Sequence, residues 1–341
     1  MQLNVLTEPS EKLFQLAADQ LLQELGGPTL VHIPGVQPQP VFVSVLLHGN
    51  ECSGWYGVQQ MMREFPALPR SVLLFIGNVQ AAASGVRTLS DQVDFNRIWR
   101  NPPGPDYAFV KDLLAQVAKH KPVFAVDLHN NTGKNPHYSV LTSQDPASRA
   151  LAYLFSDRAV LIDEPDTVLS RALQAYCPSI AVEVGPVNDS ASDLRAADFL
   201  RRCLKQSELS ADPGDQLQLF RAVARLHVAE QTRFDFVDDV SARDLALDDL
   251  LLTAGIEAIN FHEIEAGFEI GFNRLPLHRS LQVLDTQHQD VTVQFLQQRD
   301  GIVTLRQPVV PAMFTTDKVV ARQDCLGYLM HKIAYCPRLP E

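Results

Sequence analysis

The stretch Val41-Phe-Val-Ser-Val-Leu-Leu-His48-Gly-Asn-Glu51 decides the reading of this chain. Its first seven residues are apolar or small without alternation, as in a strand buried on both faces of a sheet. It then stops on a histidine and a glutamate three residues apart, with Gly49 between them to let the backbone turn tightly. In open α/β sheets the carboxyl ends of strands are where ligands bind. A polar pair at such an end therefore calls for chemistry, not packing.

On the N-terminal side, residues 11–25 carry apolar side chains at helical spacing, with Ser10 as a candidate N-cap and Gly26-Gly27-Pro28 as the stop. Helices are predicted over 53–65, 106–119, 168–176 and 192–205. Buried strands are predicted over 71–77, 122–129 and 180–184, with shorter ones at 138–142 and 159–162. Val/Leu/Ile-rich runs alternating with helical segments give an α/β domain whose largely parallel sheet is covered on both sides. Near Asp212-Pro213-Gly214-Asp215 the texture changes. Downstream, residues 217–228, 261–272, 281–286, 291–297 and 302–307 read as short β-like segments. The expected division is a catalytic domain over 1–212 and a smaller β-rich domain over 213–341.

The 341 residues are 46% hydrophobic and 20% charged, ordinary for a globular protein with a sizeable core. The net charge of −11 and the lack of a Lys/Arg block argue against nucleic acid or an anionic membrane as partner. No apolar run approaches the roughly 18 residues a membrane span requires. The N-terminus shows neither a basic leader nor a hydrophobic segment. Five scattered cysteines (Cys52, Cys177, Cys203, Cys325, Cys336), without CxxC spacing, point to reduced thiols and a cytoplasmic location. A homo-oligomer is compatible with this composition.

Two more groups stand at predicted strand ends: Asp127-Leu-His129-Asn-Asn-Thr-Gly133 and Ala181-Val-Glu183-Val-Gly185-Pro186. Catalytic zinc takes three protein ligands, mostly His and carboxylate, and keeps a fourth position open. His48 and Glu51 offer two, and His129 a third from the same edge of the sheet. Asp127, two residues earlier on the same strand face, can accept a hydrogen bond from that imidazole and hold its tautomer. Glu183 is then a spare carboxylate near the metal, placed to take and return a proton. Each residue alone has a plainer reading: a histidine after a strand is usually a surface residue, Glu51 suits the first turn of a helix, and Glu183 a buried ion pair. Three such groups at three strand ends make coincidence a poor explanation.

"HGNE", "DFNRIW" (residues 94–99), "DLHNNTG" and "VEVGP", in this order, resemble the succinylglutamate desuccinylase/aspartoacylase family of the zinc carboxypeptidase superfamily. The likeness covers roughly residues 40 to 200; beyond 215 only the short run "PAMF" (residues 311–314) resembles the family. It implies a zinc carboxypeptidase-like mixed sheet flanked by helices, and a C-terminal β-rich domain that caps the site. It also implies one zinc ion on His48, Glu51 and His129, with Glu183 as general acid/base. Arg97, with Asn96 beside it, matches the family arginine that grips a substrate carboxylate or polarises the scissile carbonyl. Arg87 and Arg171 resemble two further substrate-binding arginines. A guanidinium suits that role because its planar fork binds a carboxylate through two hydrogen bonds.

"DLHNNT" and "EVGP" followed by "LRAADF" look closer to aspartoacylase than to the desuccinylase. The tyrosine expected before Arg171 is replaced by Thr167, and Tyr335 is the candidate for a tyrosine from the second domain. "RNPPGPDY" (residues 100–107) reads equally as a lid or a connection, and His137 as a residue lining the site. His262, His278 and His288 lack metal-ligand spacing. The expected function is zinc-dependent cleavage of the amide of an N-acyl amino acid, N-acyl aspartate or glutamate first. The alternatives are a zinc carboxypeptidase acting on peptides and a non-catalytic small-acid-binding protein.

Overall fold

The computed structural model describes residues 1–206, 208, 209, 211–238 and 248–335; Cys336 lies outside them. The chain forms two compact units. The first comprises Met1–Asn131, His137–Leu219 and Tyr335, and the second Thr132–Pro136 and Phe220–Ala334. The transition thus falls a few residues after the composition change near 212, and a short segment just past His129 belongs to the second unit.

The first unit carries β1 (Asn4–Leu6), β2 (Thr29–Ile33), β3 (Gly35–Val45), β4 (Leu68–Ile76), β5 (Ala125–Asn131), β6 (Tyr138–Leu141), β7 (Arg158–Leu161) and β8 (Ser179–Pro186). Their order in the sheet is β1-β2-β4-β3-β5-β8-β6-β7. The central strands β4, β3, β5 and β8 run parallel. β2 meets β4, and β6 meets β8, antiparallel, so the sheet is mixed. Residues 41–47, 71–76, 125–128 and 180–182 of the central strands are all buried, which explains their continuous apolar sequence.

The helices are α1 (Leu21–Leu25), α2 (Ser53–Glu64), α3 (Val79–Ala83), α4 (Phe109–His120), α5 (Pro146–Phe155), α6 (Leu169–Leu173) and α7 (Ser190–Lys205). α2 packs on α7 and β5, α4 on β3, and α6 on β5 and β8. In place of the single helix expected over 11–25, the chain makes two 3₁₀ turns, Glu11–Gln15 and Ala18–Gln20, before α1. The stripe is real, since Leu13, Phe14, Ala18, Leu21 and Leu25 are buried. Extended backbone at Leu16 and Ala17 breaks it, and Ser10 makes no side-chain cap. α3, α5 and β2 add to the expected elements; α5 starts on Pro146, and Asp145 caps it by accepting from Ser148 N.

In the second unit β9 (Gln218–Val228), which enters from the first, alternates buried and half-buried residues along most of its length. The remaining strands are β10 (Phe234–Val237), β11 (Leu250–Thr253), β12 (Glu269–Asn273), β13 (Leu281–Asp285), β14 (Leu296–Arg299), β15 (Ile302–Leu305), β16 (Val310–Ala312) and β17 (Gly327–Ile333). Five of them form the sheet β10-β11-β12-β15-β14, while β9 pairs with β13 and β16 with β17. Leu226, Leu250, Leu252, Ile256, Val283 and Leu329 centre its core. The expected strand over 261–272 shrinks to β12, and 291–297 is a helical turn, Thr292–Phe295, leading into β14. Within this unit Gly133, at φ +73°, approaches Phe314 O so closely that a Cβ would collide with it. Asn135 Oδ1 accepts from Met313 N, so the "PAMF" segment packs on residues 132–136.

Candidate metal centre and active site

β3 ends at Val45, and Leu46 then takes φ +58°, a conformation uncommon for a residue with a Cβ. That turns the chain so that His48, Gly49 and Glu51 close a loop, with Glu51 N donating to His48 O at 3.1 Å. Gly49 is needed for close approach: a Cβ there would run into the Ala81 and Ala82 backbone of α3. α2 starts only at Ser53, so Glu51 lies in the turn before the helix, not in its first turn.

The loop and β5 bring the three expected ligands together. One ligand atom from each of His48, Glu51 and His129 lies within 4.8 Å of the others, and the three residues are 3%, 6% and 4% exposed. His48 Nδ1 is 2.9 Å from Glu51 Oε1, and His129 Nδ1 is 2.9 Å from Glu51 Oε2. The Nε2 atoms face outward from this cluster: that of His48 lies 3.0 Å from Asp94 Oδ1 and that of His129 2.9 Å from Asp127 Oδ2. Both imidazoles thus turn Nδ1 inward and are oriented from behind by a carboxylate.

His48 Nδ1 is buried without a hydrogen bond despite its 2.9 Å approach to Glu51 Oε1. The two atoms are close but not aligned with each other. The ligand atoms of all three residues lie close enough together to share one ion, and the His₂Glu donor set is one that zinc takes.

Electrostatics point the same way. Burial raises the Glu51 carboxyl, but the charge of His48 and the hydrogen bond and charge of His129 outweigh it and hold the group well below the usual carboxylate range. Asp94 behaves alike: burial is overcome by His48, with Arg87 and Arg97 adding to the pull. Burial lowers His129, yet Asp127 and Glu51 push it well above the ordinary imidazole value. The cluster is an excess of carboxylate around two imidazoles, the environment a cation would satisfy.

Glu183 is the Cα partner of His129 across the β5–β8 ladder and of Tyr138 on its other side. The residue is half-buried, and its Oε2 is buried without a hydrogen bond. Burial dominates its titration; His129 pulls down and Glu51 pushes up, and the carboxyl stands at about 7. Such a group can exchange a proton near neutral pH.

The "DFNRIW" segment is held by its apolar residues. Phe95, Ile98 and Trp99 are buried among Phe75, Tyr107 and Phe109, which anchors a 3₁₀ turn over Phe95–Arg97. Asp94 caps the turn through Asn96 N at 2.6 Å while its Oδ1 also faces His48. Asn96 Oδ1 accepts from Leu169 N, and its Nδ2 is 3.5 Å from His129 Nε2. Arg97 is half-buried, with Nη1 donating to Asn96 O at 2.9 Å. Arg87 sits beside the cluster, Nη1 3.4 Å from Glu51 Oε1 and Nη2 3.1 Å from Asp94 Oδ2. Arg171 is different. Its Nη2 donates to the carbonyls of Ile162 and Asp163, so part of its fork holds the segment after β7.

Asp94 and Asn130 join the site without having stood out in the sequence. Both lie inside the motifs, but a cap residue and a strand asparagine carry no local sign that they touch distant ligands. Tyr335 stacks under the Arg149 guanidinium, 4.7 Å from Cζ to the ring centre, and Arg149 also binds Asp212. His137 is exposed, edge-on to Phe155. In the 100–107 segment Arg100 pairs with Asp166, and buried Tyr107 accepts from Val93 N at 2.8 Å, so both ends are anchored. His262 Nδ1 lies 3.0 Å from the carbonyl of Asn260. Among the described residues no helix is long and apolar enough to cross a membrane.

A mixed α/β sheet with a buried His–Glu–His cluster and the Glu183 carboxylate at its strand ends defines an α/β domain with a candidate metal site. Residues 39–206, just under half of the chain, match the succinylglutamate desuccinylase/aspartoacylase catalytic domain, and this segment belongs to that family. No curated protein matches the sequence. Several solved structures share the fold. A succinylglutamate desuccinylase/aspartoacylase from Rhodobacter sphaeroides is 16% identical with a TM-score of 0.58, over 90% of this chain and 89% of that one. The succinylglutamate desuccinylase of Chromobacterium violaceum is 16% identical with a TM-score of 0.54, over 88% and 87%. Murine aminoacylase 3 is 16% identical with a TM-score of 0.50, over 87% and 96%.

Proposed function

We propose that the protein is a zinc-dependent amidohydrolase that removes the acyl group from an N-acyl amino acid, with N-acyl aspartate or glutamate as the preferred class. The observation that carries this reading is the ladder pair His129–Glu183 beside a buried His48/Glu51/His129 donor set. His48, Glu51 and His129 would hold the metal through Nδ1, a carboxylate oxygen and Nδ1. When bound, zinc supplies Lewis acidity toward the acyl carbonyl and acidifies water.

The chain's own residues do the rest. Asp94 and Asp127 keep the two imidazoles in the tautomer that frees Nδ1. Glu183 takes a proton from the attacking water at its carboxylate and returns it to the leaving amine, which is general acid–base catalysis. Arg97 anchors a substrate carboxylate or offsets charge on the carbonyl oxygen. Arg87, next to the ligands, adds positive charge at a site in a chain of net charge −11. The preference for acidic substrates rests on these guanidiniums and on the family, whose name pairs a succinylglutamate desuccinylase with an aspartoacylase.

The test is a panel of N-acetyl and N-succinyl amino acids assayed against zinc-loaded protein, with metal content measured in parallel. Turnover of N-acyl aspartate or glutamate that disappears on chelation and returns with zinc is expected. A protein that binds zinc but cleaves only peptides would replace this reading with the carboxypeptidase one.

A further inference from the structure

Asn130 is 4% exposed and lies one residue beyond His129, so its side chain leaves β5 on the opposite face from the imidazole. It cannot reach a substrate on the metal side, yet its polar atoms are engaged. The backbone N–H donates to Glu51 Oε2 at 3.2 Å. Oδ1 accepts from Ser53 N at 3.2 Å. Nδ2 donates to Ser53 Oγ at 2.9 Å, to Gly185 O at 2.9 Å and to Pro186 O at 3.1 Å.

Each contact meets a local need. α2 begins after Cys52, which is helical in conformation and gives no side-chain cap, so the Ser53 amide at the helix start lacks a local acceptor. Asn130 provides that acceptor from another strand. On β8 the ladder slips: His129 faces Glu183, but Asn131 faces Pro186, so one more residue lies on β8 than on β5. That bulge includes Gly185 at φ +124° and interrupts regular pairing there. The Asn130 amide caps the two carbonyls at the bulge.

We infer that Asn130 is a positioning residue that sets the metal-ligand loop, through Glu51 and Ser53, against the bulge that follows Glu183. Its side-chain amide ties the helix start just after the ligand loop to the bulge that follows Glu183, while its backbone N–H holds Glu51 itself. The inference rests on the zinc amidohydrolase reading. Loss of the amide lets the loop and the bulge move independently, and errors of about 1 Å between reacting groups cost on the order of 10²-fold.

The experiment uses the full chain as wild type, Asn130→Ala and Asn130→Ser. Zinc affinity is read by competition with a chromogenic chelator, kcat and KM at saturating zinc, and thermal unfolding on metal-stripped protein. Expected are zinc binding weakened roughly 10- to 100-fold, the range for residues that orient ligands from behind, and kcat lowered by a similar factor with KM within about twofold. A variant that is only less heat-stable, with wild-type zinc affinity and kcat, overturns the inference. Should Asn130→Ala fail to fold, Asn130→Ser carries the same readouts with a smaller polar group in place. A wild-type chain that binds no zinc overturns the functional reading and this inference together. Zinc binding by wild type with unaltered variants overturns the inference alone.

Discussion

His129 and Glu183 face each other at one position of the parallel β5–β8 ladder. Neighbouring strands lie about 4.8 Å apart, so this register alone sets the imidazole of a candidate metal ligand and the Glu183 carboxylate side by side. β3, next to β5 on the other side, delivers His48 and Glu51 to the same edge. Three adjacent strands therefore supply the core of the proposed machinery.

Zinc content follows from that arrangement. The purified protein is expected to hold about one zinc per chain, as a single three-ligand site does. The His48→Ala/His129→Ala double variant is expected to lose both metal and activity. Full occupancy in that variant, measured by elemental analysis, would show that the ligands lie elsewhere.

Glu183→Gln separates binding from chemistry. The variant should keep zinc and fold, while turnover falls by roughly two orders of magnitude or more, the usual share of a general acid–base. Near wild-type turnover in the zinc-loaded variant rules out the proton-carrying role.

The same substitution changes stability with pH when metal is stripped. In the folded chain the Glu183 carboxyl stands at about 7, above the ordinary 4.5 of an exposed glutamate. Below 4.5 both folded and unfolded forms are protonated and the group is neutral to stability. As pH rises toward 7 the unfolded chain releases the proton first, so folding loses about 3 kcal/mol by this group. Glu183→Gln removes that loss. Denaturant titrations of metal-free protein should show the variant gaining on wild type between pH 4.5 and about 7 and levelling off above, and equal slopes across that window would refute the shift.

Asp94 orients His48 through Nε2, at 3.0 Å, while binding Arg87 with its other oxygen. Asp94→Asn is expected to weaken zinc binding by roughly 10- to 100-fold through loss of that oriented, charged acceptor. Chelator competition measures it. Unchanged affinity would mean that His48 is held by the loop alone.

Substrate choice tests the arginines. N-acyl aspartate or glutamate should be cleaved in preference to N-acyl alanine or leucine. Arg97→Lys should lose much of that activity despite keeping its charge, since an ammonium cannot form the bidentate fork. Equal rates on neutral and acidic substrates, or a silent Arg97→Lys, would remove the acidic-substrate proposal. Arg87→Ala should mainly raise KM if it grips a ground-state carboxylate, and mainly weaken zinc if its contacts with Glu51 and Asp94 matter more.

Composition and order along the chain suffice for the α/β architecture, because residues 41–47, 71–76 and 125–128 are buried on both faces and are apolar almost throughout. They suffice too for His48, Glu51, His129, Asp127 and Glu183 as candidates, since each stands at or near the end of an apolar run and has no packing reason to be polar. The N-terminal helix shows where pattern misleads: a correct apolar stripe does not report the extended Ala17 that breaks it. Pairings across the fold lie beyond local reading altogether. Asp94 meets His48 across 46 positions and Asn130 meets Ser53 across 77, separations over which neither propensity nor periodicity carries a signal. Arg171 likewise resembles a substrate arginine by its place in the motif, yet in the fold its Nη2 goes to the Ile162 and Asp163 carbonyls. Sequence pattern reports whether a side chain is buried or polar; which partner satisfies it depends on strand order and register, and these exist only once the sheet has formed.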